Sequence, residues 1–167
     1  MEPAMSNRPA AHGGIIIWLS FGVAFILTMI PLPETLEIYR PEWLTLILIY
    51  WCLALPHRVR VFTGWLVGFL LDVHMGSVLG LHALTLAVVA YLAYKLHIRI
   101  RLYPLLQQSL IILLLVALSQ MLVLWISGVT GNAPSNWSYW MPSLTSMVVW
   151  PWVFFLMRAI RRIYGVN

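Results

Sequence analysis

In the run GWLVGFLLDVHMGSVLG one carboxylate, Asp72, stands among glycines that recur every fourth residue: Gly64, Gly68, Gly76 and Gly80. On a helix that spacing places Gly64, Gly68 and Asp72 on one face, a smooth groove ending in an acid. A charge inside an apolar span costs at least about 2.5 kcal/mol at the bilayer centre, so Asp72 needs compensation. It can pair with a partner's cation, accept N–H bonds at a helix end, or bind a substrate; the plainer reading is a carboxylate capping its own turn. The glycines let backbones approach, within the chain or against another protein's span, whereas Gly76 and Gly80 straddle a turn.

Other chemistries are thinly supported. His74 and His82 flank the turn, but a metal needs three or four convergent ligands and no further His, Cys or acid lies close in sequence. The serines Ser20, Ser77, Ser109, Ser119 and Ser127 are scattered and show no nucleophile-and-base pattern. Gln107, Gln108 and Gln120 suit packing between helices. No phosphate loop, HExxH or paired-acid motif is present. The expectation is therefore no catalytic residue, no metal and no cofactor.

The elements that must position Asp72 follow from composition. Hydrophobic residues make up 62% of the 167 positions and charged residues 9%, which is the balance of an integral membrane protein. Six apolar runs are marked off by charge and proline, at about 15 to 30, 43 to 55, 61 to 75, 78 to 94, 105 to 127 and 143 to 158. They lack the alternation of barrel strands, so the expected fold is an all-α bundle of six transmembrane helices. The first run reads as an uncleaved span, since Pro31, Leu32, Pro33 and Glu34 follow it in place of a small-residue cleavage site. Residues 1–14 and 159–167 read as tails around a single domain at 15–158.

The formal charge of +5 sits in clusters between runs, which fits orientation in a membrane better than nucleic acid. Arg8, Arg58, Arg60, Lys95, Arg99, Arg101, Arg158, Arg161 and Arg162 mark alternate connections as cytoplasmic, with both termini inside. The outer connections then carry Arg40 against Glu34, Glu37 and Glu42. The same cations can attract anionic lipid. Pro104 and Pro142 suit first helical turns, Ser77 suits the cap of the fourth helix, and Pro151 interrupts the last one. The third run spans only about 22 Å at helical rise, against a core of about 30 Å. A glycine turn set below the outer surface would place Asp72 inside the bilayer.

The stretch RPEWLTLILIYWCLALPHRVRVFTGWLVGFLLDVHMGSVLG, with the later WPWVFFLMR, resembles the MreD family of bacterial rod shape-determining proteins. The likeness runs from about Ile17 to Arg158 and is densest where Arg40, Pro41, Trp43, Gly64, Gly68, Asp72, Gly76 and Gly80 fall into the family pattern. It implies a non-enzymatic inner-membrane component of the cell elongation machinery. The partners it implies are MreC and, indirectly, MreB, RodA and a class B penicillin-binding protein. It also implies a likeness in fold to the substrate-binding subunits of energy-coupling-factor transporters. The expected working surface is the Gly64, Gly68 and Asp72 face with the RPEW segment. The rival is a small-molecule-binding subunit whose outward pocket is lined by Asp72, Trp43, Trp51 and Trp65.

Overall fold

The computed structural model describes residues 12–129, 131 and 136–166. Arg8 and most of the expected N-terminal tail lie outside the described residues. Among those residues the chain forms seven α-helices: α1 (His12–Met29), α2 (Glu34–Glu37), α3 (Trp43–Ala54), α4 (Val61–Met75), α5 (Leu81–Leu102), α6 (Leu105–Val129) and α7 (Met141–Ile163). A 3-10 turn at Trp137–Trp140 leads into α7. Three segments are long and apolar enough to cross a membrane: α5, α6, and α7 with its leading turn. The shorter apolar helices α1, α3 and α4 complete the bundle.

The centre of the bundle is α3, where every residue from Leu44 to Leu53 is buried. A helix apolar on all sides has no face for water and lies in lipid or within protein; here α1, α5 and α7 pack around it. Trp51 is fully buried there and its Nε1 donates to Ser20 Oγ of α1 at 2.7 Å. The backbone N–H of Glu42, just before α3, donates to Ser146 Oγ of α7 at 3.0 Å. Each bond gives a buried polar group its partner and pins the register of two helices. Other hydroxyls bond back to their own helix, as with Ser109 to Leu105 O and Thr85 to Leu81 O.

Two expected boundaries move. The fourth apolar helix begins at Leu81 and runs through Lys95, Arg99 and Arg101 to Leu102. Long basic side chains tolerate this because they lay apolar stems along the helix and keep their charges at its end. Ser77 accordingly lies in the turn before α5, and Gly80 holds the cap position. Pro142 occupies the first turn of α7, where its missing N–H costs nothing. Pro151 lies inside α7, which continues to Ile163.

The connections sort by charge. The α2–α3 segment with Glu37, Arg40 and Glu42, the α4–α5 turn and the Trp137–Trp140 turn meet at one end of the bundle, around a common cavity. At the opposite end Arg101, Arg158 and Arg161 come together, and the Arg60 guanidinium lies 5.3 Å from the centre of the Tyr94 ring. The acidic and basic ends are thus physically separate.

Candidate functional site

Among the described residues, α4 and α5 share the most extensive contact of any two elements. Gly64, Val67, Gly68, Leu71 and Asp72 are the buried residues of α4 and form one helical stripe. That stripe faces α5 in the same chain. A Cβ at Gly64 would lie 2.6 Å from Leu86 O and 2.9 Å from the Ala90 Cβ. A Cβ at Gly68 would collide with His82 O and sit 2.6 Å from the Ala83 Cα. Only glycine permits this approach, and Ala83 and Ala90 are the small residues that meet it from the other helix. The sequence reading did not single out these alanines; their spacing on α5 was the available signal.

At the end of the stripe Asp72 is fully buried and its carboxylate is saturated. Oδ1 accepts from Ser77 Oγ at 2.8 Å and from the His82 N–H at 2.9 Å. Oδ2 accepts from the Gly80 N–H at 3.0 Å and from the Ala83 N–H at 3.2 Å. The His82 ring Nδ1 lies 2.8 Å from Oδ1. Asp72 therefore closes the open N–H groups at the start of α5, where the helix dipole also favours a negative charge. One side chain does what an N-cap does, but from the neighbouring helix.

The two remaining glycines shape the turn. Gly76 ends α4 with φ of 61° and Gly80 precedes α5 with φ of 100°. Both angles lie in the left-handed region that other residues adopt at a cost. The repeat of four thus has two causes: close packing at Gly64 and Gly68, and chain reversal at Gly76 and Gly80. His74 points elsewhere, with its ring 5.5 Å from that of Phe25 on α1. Among the described residues no three His, Cys, Asp or Glu side chains gather as a metal site.

The RPEW segment occupies the same end of the bundle. The Arg40 guanidinium donates to the carbonyls of Thr28 and Ile30 at the end of α1, and pairs with Glu37 at 2.8 Å. It satisfies carbonyls that the terminating helix leaves open. Pro41 and Trp43 border a cavity of about 790 Å³ that also reaches Glu42, Gln120, Tyr139 and His82. Of the four residues expected to line an outward pocket, Trp43 does so. Asp72 is turned into the α5 terminus, Trp51 is in the bundle centre, and Trp65 stacks between Phe62 and Phe69 on α4.

Glu42, expected from the sequence only as an outer acid within the RPEW segment, meets side chains from a distant helix here. Its Oε2 accepts from Thr45 Oγ1 at 2.7 Å, and Ser119 and Gln120 of α6 line the same cavity beside its carboxyl. Glu42 is half-buried at the cavity wall, and desolvation of its carboxyl group pushes its pKa up from 4.5 to about 7. Gln120 Oε1 is buried with no hydrogen-bond partner among the described residues, and the Tyr139 hydroxyl donates to the Gln120 carbonyl at 2.8 Å. The cavity wall thus mixes polar groups, among them Glu37, Arg40, Glu42, His82 and Gln120, with apolar side chains such as Leu71 and Val123.

Comparison with known proteins places this geometry in a lineage. The family model for rod shape-determining protein MreD matches residues 11–160. The chain is 37% identical over 142 residues to the rod shape-determining protein MreD of Haemophilus influenzae, covering 85% of this chain and 88% of that one. No solved structure matches. The family match spans the glycine stripe, the Asp72 clasp and the RPEW segment together, and the chain belongs to the MreD family of rod shape-determining proteins.

Proposed function

We propose that this protein is a non-catalytic six-span scaffold of the bacterial inner membrane, with both termini in the cytoplasm, that serves lateral peptidoglycan synthesis by binding MreC. MreB, RodA and a class B penicillin-binding protein are engaged indirectly. Membership in a family named for rod shape determination supports the role. The observation that carries the scaffold reading is the saturation of Asp72: every bond its carboxylate makes is spent on holding α4 to α5. A carboxylate held this way sets a shape, because its bonds fix how the start of α5 sits against the end of α4.

On this reading Gly64, Gly68, Asp72, Gly76 and Gly80 build the α4–α5 hairpin, and Arg40, Pro41 and Trp43 present the partner surface beside it. The test is co-purification with MreC of Gly68→Leu and Asp72→Ala variants that insert at normal levels. Association falls in both, and Arg40→Ala, which frees the α1 terminus, weakens it as well. Full association in all three would overturn the reading.

The cavity of about 790 Å³ supports a second reading, a small-molecule-binding membrane subunit, since its volume lies in the range of ligand sites and its polar groups at Glu42 and Gln120 offer orientation. This reading requires a ligand carried through purification. Native mass spectrometry showing an empty protein, with no thermal shift across vitamins and lipid precursors, would dismiss it.

A further inference from the structure

At the basic end of the bundle a second cavity, of about 300 Å³, opens between α3, α5, α6 and α7. Arg101 from α5 and Arg158 and Arg161 from α7 line it, beside Tyr50, Gln108 and Phe154. All three guanidinium charges fall within electrostatic reach of the Tyr50 hydroxyl. Among the described residues no carboxylate lies within ion-pair distance of any of them. The described acids, Glu34, Glu37, Glu42 and Asp72, all belong to the α2–α3 segment or to the last turn of α4, at the other end.

Orientation in a membrane asks only that cations flank the spans; it does not ask three of them, from two helices, to surround one cavity. Like charges held together without a counter-charge repel one another and favour an anion between them. Gln108, which lines the cavity, gives a second, independent sign. Gln108 is 5% exposed, and its Nε2 donates to Tyr103 O at 3.0 Å. Its Oε1 is buried with no hydrogen-bond partner among the described residues. An enclosed acceptor left unpaired costs about 1–3 kcal/mol, so it calls for a donor that the chain does not supply.

We propose that this cavity binds the phosphate-bearing headgroup of a membrane lipid, with the arginines on the phosphate and a headgroup hydroxyl donating to Gln108 Oε1. Guanidinium groups suit phosphate oxygens through paired N–H bonds. The neighbouring apolar faces of α6 and α7, with Leu110, Leu114 and Phe155 exposed, provide a path for acyl chains. Phosphatidylglycerol has the required combination of phosphodiester and hydroxyl. Phosphatidic acid lacks the hydroxyl, and phosphatidylcholine carries no net charge.

The experiment uses the full chain in detergent, incubated in turn with phosphatidylglycerol, phosphatidic acid, phosphatidylcholine and inorganic phosphate. Retention is read by native mass spectrometry and stability by thermal shift. Phosphatidylglycerol is retained at least tenfold over phosphatidylcholine. The paired substitution Arg101→Gln with Arg158→Gln reduces that retention about tenfold, whereas Arg99→Gln, outside the cavity, leaves it unchanged. Gln108→Leu lowers retention of phosphatidylglycerol to that of phosphatidic acid, an outcome that remains readable if the arginine pair fails to fold. Equal retention of charged and uncharged lipids overturns the proposal. So does stabilisation by inorganic phosphate that phosphatidylglycerol does not exceed, because the ligand would then be a soluble anion.

Discussion

At the scale of single residues, two acids are held in opposite ways. Asp72 is surrounded by donors, and its loss strands the N–H groups of Gly80, His82 and Ala83. Unmade charge-assisted bonds to a buried group cost about 3 kcal/mol. Asp72→Ala is expected to lower the melting temperature in detergent by roughly 5–10 °C. Asp72→Asn, which keeps one acceptor oxygen, lowers it less. An unshifted melting curve for both variants would refute the clasp. Glu42 is desolvated at the cavity wall, so its pKa is raised in the folded chain to about 7 from 4.5. The unfolded chain releases this proton first, and folding stability therefore declines as pH rises from about 4.5 to 7. It then levels off, because both forms are ionised. At about 1.4 kcal/mol per unit, the span amounts to about 3 kcal/mol. Glu42→Gln removes this slope, which thermal melting at pH 5 and pH 8 will reveal. The importance of Asp72 was legible from one acid in an apolar run. Glu42 was not, because its neighbours Ser119 and Gln120 come from α6 and only folding brings them together.

At the scale of elements, the hairpin depends on how closely α4 can approach α5. Gly68→Ala places a methyl against the Ala83 backbone and the His82 carbonyl, neither of which is the free end of a flexible side chain. The helices must separate, at a cost of about 1–3 kcal/mol. Gly22→Ala on α1 is the matched control, since nothing lies within 4 Å of its new Cβ. Thermal melting should separate the two variants, and equal melting temperatures would remove the argument for close packing. The ends of α3 and the start of α4 follow the apolar runs at 43 to 55 and 61 to 75 because charge and proline flank them, and Gly76 ends α4. The start of α5 departs from its run, since residues 78 and 79 are apolar yet belong to the turn that brings the Gly80 N–H onto Asp72. Apolar character marks what a membrane accepts, and hydrogen bonding decides where a helix begins.

At the scale of the whole molecule, the described acids gather with Arg40 at one end, and Arg101, Arg158 and Arg161 meet at the other, an asymmetry of the kind on which orientation in a membrane depends. Cys52 is fully buried, so a cysteine introduced at Leu79 or Leu102 provides an accessible thiol. An impermeant maleimide applied to intact cells is expected to label the former and not the latter. Labelling of Leu102→Cys alone would invert the topology. Charge order made the separation of the two ends legible from sequence, and an outward pocket at Trp43 was expected, whereas the full lining of the two cavities was not. Each is enclosed by helices far apart in the chain, and no local pattern records their convergence. The Asp72 clasp has a consequence for biogenesis. Synthesis delivers α4 before α5, so the carboxylate reaches the insertion machinery while the N–H groups that neutralise it are still unmade. The hairpin should therefore leave that machinery as a pair. A chain truncated after Met75 should integrate poorly where one truncated after Leu102 integrates well, and equal insertion of the two would show that Asp72 crosses unaided.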